Sequence, residues 1–160
     1  MERLPPDATP AESLARDLLS AEGYTRDSVE SVSDAGAAVL SRLFERLRPV
    51  IGAGGFEILL GRAAIVGARV HSELGNLPIP EVGPPSVEEL GRVFEDPDGA
   101  SGLEIATRLL ADLLAFLGRL VGWGLTLVLL REVWPDVIAS RDPADFDDSS
   151  SMPRYRGEES

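Results

Sequence analysis

Histidine and cysteine are the side chains that decide which reactions this sequence could support. His71 is the only histidine among 160 residues, and cysteine is absent. Any imidazole chemistry must therefore use His71, and thiolate zinc sites, thiol nucleophiles and disulfides are excluded. A carboxylate-bridged metal site in a helical bundle needs two Glu-x-x-His pairs, which one histidine cannot supply. The sequence predicts no metal site and no cofactor.

The segment from Arg69 to Gly75 places His71 four residues before a glycine. This spacing resembles the His-x-x-Lys-Gly motif of helical histidine phosphotransfer domains. The resemblance implies a signalling protein phosphorylated on His71, but Leu74 occupies the position of the lysine that would stabilise the phosphohistidine. The alternative is a histidine in the last turn of a helix, where a partial positive charge suits the helix dipole.

Two other stretches have some features of ligand-binding loops. The run Gly52 to Gly55 could cradle a phosphate, but Glu57 stands where a dinucleotide loop needs its next glycine. The run Asp96 to Gly99 starts like a calcium loop, but Ala100 stands where an oxygen ligand is required. We interpret the first as a helix break and the second as a turn. With no positioned nucleophile in the sequence, a non-enzymatic interaction or regulatory role is the leading hypothesis.

The net charge of -12 has a distribution that bears on possible partners. Twenty-seven acidic residues face fifteen basic ones, and every basic residue is an arginine, which is typical of a GC-rich genome. The acidity repels nucleic-acid phosphate, so nucleic-acid binding is not expected. Residues 1–10 contain acids and prolines but no apolar run, so no secretory signal is predicted and a cytoplasmic location is expected.

Residues 35–75 form the one net-positive region, with five arginines against three acids. We expect a docking patch for an acidic protein partner, or for the acidic C-terminal segment of the chain itself. The alternative is a solvated face paired with neighbouring acids. The candidate interaction residues in this region are Arg42, Arg46, Arg62 and Arg69.

Trp123 and Trp134 are two further candidates for an interface. If Trp123, which lies between Gly122 and Gly124, is exposed, it would mark a contact surface. If the two tryptophan rings are buried, they belong to the core instead. Together with the arginines, these residues predict a protein partner or self-association.

The spacing of apolar residues is helical wherever it is clear. It predicts an all-α, single-domain helical bundle of about five or six helices, with the core helices near 34–47, 56–74 and 102–134. The first helix should begin at a capping box made by Thr9 and Glu12. Gly122 leaves open whether 101–134 is one bent helix or two. The expected domain limits are a flexible N-terminus at 1–8, the bundle at 9–135 and a disordered acidic tail at 136–160.

Residues 109–130 raise membrane association as another alternative. This 22-residue window contains only two charges, Asp112 and Arg119. Each charge costs roughly 2.5 to 3.5 kcal/mol on insertion scales when it lies near the middle of a span. The sequence therefore favours a buried core helix over a membrane span.

Overall fold

The computed structural model describes residues 9–23, 31–70, 74–75, 89, 93, 102–139 and 141–146, and the regular structure in them is entirely helical. The all-α bundle is thus confirmed. The helices are α1 (Pro10–Ala21), α2 (Ser31–Gly67), α3 (Gly102–Val121), α4 (Trp123–Val133), α5 (Pro135–Ile138) and α6 (Pro143–Phe146). The sequence also predicts a short helix after a capping box at Ser86 and Glu89. Residues 89 and 93 are helical, and the rest of that segment lies outside the described residues.

Helix α1 begins where its local sequence predicts. The backbone N–H of Glu12 donates to the Thr9 hydroxyl at 3.1 Å, and the Thr9 N–H donates back to the Glu12 carboxylate at 3.2 Å. Pro10 fills the first helical position, where its missing N–H costs no hydrogen bond. The buried face of α1 consists of Ala11, Leu14, Ala15, Leu18 and Leu19.

Helix α2 contains a bend at the predicted break. Only Gly52 leaves the helical conformation, at φ 80° and ψ 163°, a region that L side chains rarely adopt. Pro49 lies inside the helix three residues earlier. The two helices expected at 34–47 and 56–74 therefore adjoin at Gly52, with no connecting loop between them. The rings of Phe44 and Phe56 meet edge-on across the bend, with centroids 5.4 Å apart.

The C-terminal end of α2 differs from the prediction. The helix ends at Gly67 rather than residue 74, and a turn follows over 68–70. The buried side chain of Leu74 lies so close to Gly67 that a Cβ there would be 2.5 Å from Leu74 Cδ1. The chain thus turns back and packs Leu74 on the end of α2, which no local helical preference could indicate.

Residues 102–133 form two helices rather than one bent helix. Gly122 separates α3 from α4 with φ 90° and ψ 148°. The Thr126 hydroxyl donates to the Gly122 carbonyl at 2.8 Å and so supports the start of α4. Helices α2 and α3 form the most extensive pair, and α1 packs on α3. The three predicted core helices therefore do form the centre of the bundle.

The helical part extends further toward the C-terminus than predicted. Ile138 on α5 is fully buried, and Phe146 on α6 is 7% exposed. Arg141, between these short helices, forms an ion pair with Asp17 of α1. Burial of apolar side chains and this ion pair hold residues 136–146 on the bundle, although the sequence places them in the tail. The remainder of the predicted tail, 147–160, lies outside the described residues, as does the predicted flexible segment 1–8.

Candidate interaction surface

The four arginines predicted to form one patch divide into two groups. Arg42 Nε lies 2.7 Å from Glu22 Oε2, and a guanidinium nitrogen of Arg46 lies 2.7 Å from Glu132 Oε1. These ion pairs connect the first half of α2 to the end of α1 and to α4. Both guanidinium groups therefore have partners inside the bundle, as the alternative interpretation expected.

Arg62 and Arg69 lie beyond the bend of α2, and both are exposed. Among the residues that the structure describes, neither has an ion-pair partner. They are consequently the two members of the predicted set that remain available to an external acidic group.

Trp134 is a core residue, which corrects its prediction as a candidate interaction residue. It is 5% exposed, and its indole N–H donates to Glu22 Oε2 at 2.8 Å. The same carboxylate oxygen accepts the ion pair from Arg42. A buried indole needs a partner for its polar atom, and Glu22 supplies one.

Trp123 is half-buried and makes its main ring contact within the chain. It stacks on Phe146 with centroids 4.4 Å apart and planes inclined by 27°. Its indole also lies over Gly118, where any Cβ would collide with the ring. Phe146 belongs to the segment expected to be disordered, so the sequence could not indicate this partner.

The most exposed apolar residues described lie on the second half of α2. Ile58 and Ile65 are 64% and 66% exposed, and Gly54 and Gly61 occupy the same side of the helix. A Cβ at either glycine would meet nothing within 4 Å. We call Gly54, Ile58, Gly61 and Ile65 the isoleucine seam. Sequence reasoning missed this surface, although the seven-residue spacing of the isoleucines and of the glycines was a signal.

The two glycines of the isoleucine seam weaken α2 without serving the packing of the described chain. Glycine inside a helix costs roughly 0.5–1 kcal/mol relative to alanine. Open space beside Gly54 and Gly61 means that the bundle itself would accept alanine at both positions. A face that combines exposed isoleucines with unfilled glycines is suited to contact with a surface outside the chain.

A polar cleft of about 180 Å³ lies between α1 and α3 and was also missed. Its lining residues are Glu12, Arg16, Glu104, Thr107 and Arg108. Guanidinium nitrogens of Arg108 approach Glu12 Oε2 at 3.6 Å and Asp112 Oδ1 at 3.8 Å. The cleft is smaller than the roughly 300 Å³ at which small-molecule pockets usually begin. Its charges are arranged mainly to neutralise one another.

Burial raises the pKa of Asp112 above its ordinary value of 3.8. Arg108 and Arg119 oppose this rise by attraction, while the Glu12 carboxylate adds to it. Within the described residues, Asp112 Oδ2 accepts no hydrogen bond. The charged form of Asp112 is therefore less favoured in the folded protein than in the unfolded chain.

Asp112→Asn is expected to reduce the pH dependence of stability. Since the folded pKa is raised, the stability contributed by protonation of Asp112 is fully present below pH 3.8 and is lost as the pH rises through the raised pKa. Urea denaturation should show that, as the pH rises from acidic to neutral, the free energy of unfolding of wild type falls relative to that of the variant. A difference that stays constant over that range would contradict the expectation.

The phosphotransfer hypothesis concerns residues outside the described part. His71 and the two residues after it are not among the described residues, while Leu74, at the motif's lysine position, is buried. In the described ranges, no group of three or more His, Cys, Asp or Glu side chains could hold a metal ion.

One described helix is long and apolar enough to cross a membrane by length and composition. It covers Val32–Gly67, and not the predicted window of 109–130. That window is divided by Gly122, and many of its leucines are buried: Leu109, Leu110, Leu113, Leu114, Leu117, Leu127, Leu129 and Leu130. The core helix of a bundle passes the same test, and α2 packs against α1, α3 and α4.

Comparison with known proteins gives no relative for this chain. None of the family models matches the sequence. No curated protein and no solved structure matches it either.

Proposed function

We propose that this protein acts by binding a protein partner through the isoleucine seam, as a non-enzymatic interaction or regulatory protein. One observation carries the proposal: Ile58 and Ile65 are about two-thirds exposed on one face of α2, beside glycines that nothing in the described chain fills. Partner helices commonly dock through apolar residues spaced in this way along one face.

The apolar energy available from the isoleucine seam supports a weak interaction. Full burial of an isoleucine side chain is worth about 1.5–3 kcal/mol, so the exposed fractions of Ile58 and Ile65 together offer about 2–4 kcal/mol. Gly54 and Gly61 let a facing helix approach closely and add dispersion contacts. Arg62 and Arg69, which flank the seam, would attract acidic groups at its margin.

A second set of exposed apolar residues offers a less continuous surface. Leu120, Leu125 and Val128 are 58%, 43% and 49% exposed. They belong to α3 and α4, which meet at Gly122 and change direction there. Because these residues do not lie in one row along one helix, we use Leu120 as the control position for the isoleucine seam.

The proposal is tested by the reactivity of a single introduced cysteine, since the chain has none of its own. In an extract of the source cells, Ile58→Cys should react with a maleimide several-fold more slowly than in buffer, because a bound protein covers it. Leu120→Cys should react equally fast in both. Protease treatment of the extract should abolish the protection. Equal reactivity of Ile58→Cys in extract and in buffer, with no decrease as the concentration of the protein is raised, would reject the proposed surface.

A further inference from the structure

The isoleucine seam has the spacing of a coiled-coil core. Its residues follow one another at intervals of four, three and four, which places Ile58 and Ile65 at one core position of a heptad and Gly54 and Gly61 at the other. One core position always holds an isoleucine, and the other always holds a glycine that leaves space beside the helix. This alternation restricts which helix can fill the seam.

We propose that the occupant of the isoleucine seam is the same seam of a second copy of this chain, packed antiparallel. This inference rests on the proposed function and names its partner. In an antiparallel pair each core layer contains one residue of each heptad position, so a large residue lies opposite an empty one. Ile58 then faces Gly61 of the second copy, and Ile65 faces Gly54 of the second copy.

One register satisfies both contacts at once. With the two-fold axis midway between residues 58 and 61, each isoleucine of one copy inserts beside a glycine of the other at the same height along the helix. A parallel pair would instead place isoleucine against isoleucine and glycine against glycine. The glycine layers would then contain voids, and the isoleucine layers would hold the helices too far apart to close them.

The charge around the isoleucine seam favours a second copy here rather than elsewhere. The protein carries a net charge of -12, so most approaches of two copies bring like charges together. The second half of α2 carries one acid, Glu57, against Arg62 within the helix and Arg69 just beyond it. This face therefore lacks the excess of acid that the chain carries overall, so two copies meet here with less repulsion than the net charge implies.

The size of the isoleucine seam predicts a weak, reversible dimer. A helical segment of this length spans only about 20 Å. It buries less than the roughly 800 Å² per partner of a standard interface. We expect a dissociation constant on the order of 0.1 mM. Association should strengthen with added salt, because salt screens the repulsion between the two acidic copies.

Sedimentation equilibrium over a concentration series tests the dimer with the full chain. Ile58→Asp should weaken it about tenfold or more, since a charge replaces an apolar contact. Gly61→Leu is the more informative variant: it should raise the melting temperature of the monomer, because leucine favours helix over glycine, and yet weaken the dimer by filling the space that Ile58 enters. Leu120→Asp serves as the matched control and should dimerise like wild type. If Gly61→Leu dimerises as well as wild type, the proposal is overturned.

The register is tested by cysteine crosslinking. A mixture of Ile65→Cys and Gly54→Cys should form the mixed disulfide dimer on mild oxidation, whereas neither variant alone should crosslink efficiently. Efficient crosslinking of each variant with itself would indicate a parallel pair and would overturn the antiparallel arrangement.

The experiments distinguish failure of the second-copy proposal from failure of the proposed function. A protein that stays monomeric at all concentrations, while Ile58→Cys is protected in extract, rejects the second copy but keeps the docking surface. Protection of Ile58→Cys by phosphatidylcholine/phosphatidylglycerol vesicles and not by protein would reject both. Protection of purified Ile58→Cys that rises with its own concentration supports both.

Discussion

Phe56→Ala is expected to lower the free energy of unfolding by about 3–5 kcal/mol, as for other large-to-small changes in a packed core. Phe56 is fully buried, and its ring meets Phe44 edge-on across the bend of α2. The substitution removes an apolar contact between the two halves of α2 and leaves a cavity in the core. Urea denaturation at low protein concentration, where any dimer is dissociated, measures the effect.

Ile58→Ala is the matched control, two residues away on the opposite side of the same helix. Ile58 is 64% exposed, so the free energy of unfolding of the monomer should change by less than about 0.5 kcal/mol. The buried and exposed faces of α2 would be wrongly assigned if Phe56→Ala lowered the free energy of unfolding by less than about 1 kcal/mol. They would also be wrongly assigned if Ile58→Ala lowered it as much as Phe56→Ala does.

Trp134→Ala is the second large effect that we expect, also about 3–5 kcal/mol of unfolding free energy. Trp134 is 5% exposed and packs at the end of α4, where its indole N–H donates to Glu22. The substitution removes a large buried ring and one donor to a carboxylate that is itself mostly buried. Chemical denaturation followed by circular dichroism measures it without relying on the lost fluorophore.

Trp134→Phe separates packing from hydrogen bonding. It keeps most of the buried ring and removes the donor, and Glu22 still has its ion pair with Arg42. The expected loss is therefore smaller, about 1 kcal/mol. If Trp134→Ala is as stable as wild type, the ring is not a core residue, and its role as an interaction residue would have to be reconsidered.

Helix α2 has separate faces for folding and for the proposed binding. Phe56, Leu60 and Ala63 lie in the core, whereas Ile58 and Ile65 face outward. Substitutions in the isoleucine seam should therefore change binding with little change in folding. The glycines at positions 54 and 61 make the helix less stable than it could be, which is the expected cost of a surface shaped for a close partner.

Much of the fold could be predicted because its signals are local. The Thr9 capping box involves residues three apart, and a glycine that adopts positive φ ends or bends a helix whatever surrounds it. The predicted helix start at Pro10 and the predicted break near Gly52 rest on such short-range effects, as does the weak point at Gly122, where one bent helix and two helices were both left open. The end of α2 at Gly67 was missed because Leu74 packs back on it from the following turn, a tertiary contact without a local preference.

The candidate surface was predicted less well, because exposure depends on what packs where. Arg42 and Arg46 have the same side-chain chemistry as Arg62 and Arg69, and only the positions of Glu22 and Glu132 in the bundle give the first two their partners. The seven-residue spacing of Ile58 and Ile65 was visible in the sequence, but apolar residues at that spacing predict burial as readily as exposure.

The sequence by itself determined that this chain is an acidic, cysteine-free helical bundle. It also determined where α1, α2 and α3 begin and which segments are richest in apolar residues, because composition and interactions within a few residues suffice for these properties. The tertiary structure alone decided that Trp134 is buried against Glu22, 112 residues away in the chain, and that Phe146 stacks on Trp123. It also decided that no described helix covers Ile58 and Ile65. These outcomes depend on which helix faces are brought together in the bundle, and the helical period leaves that choice open.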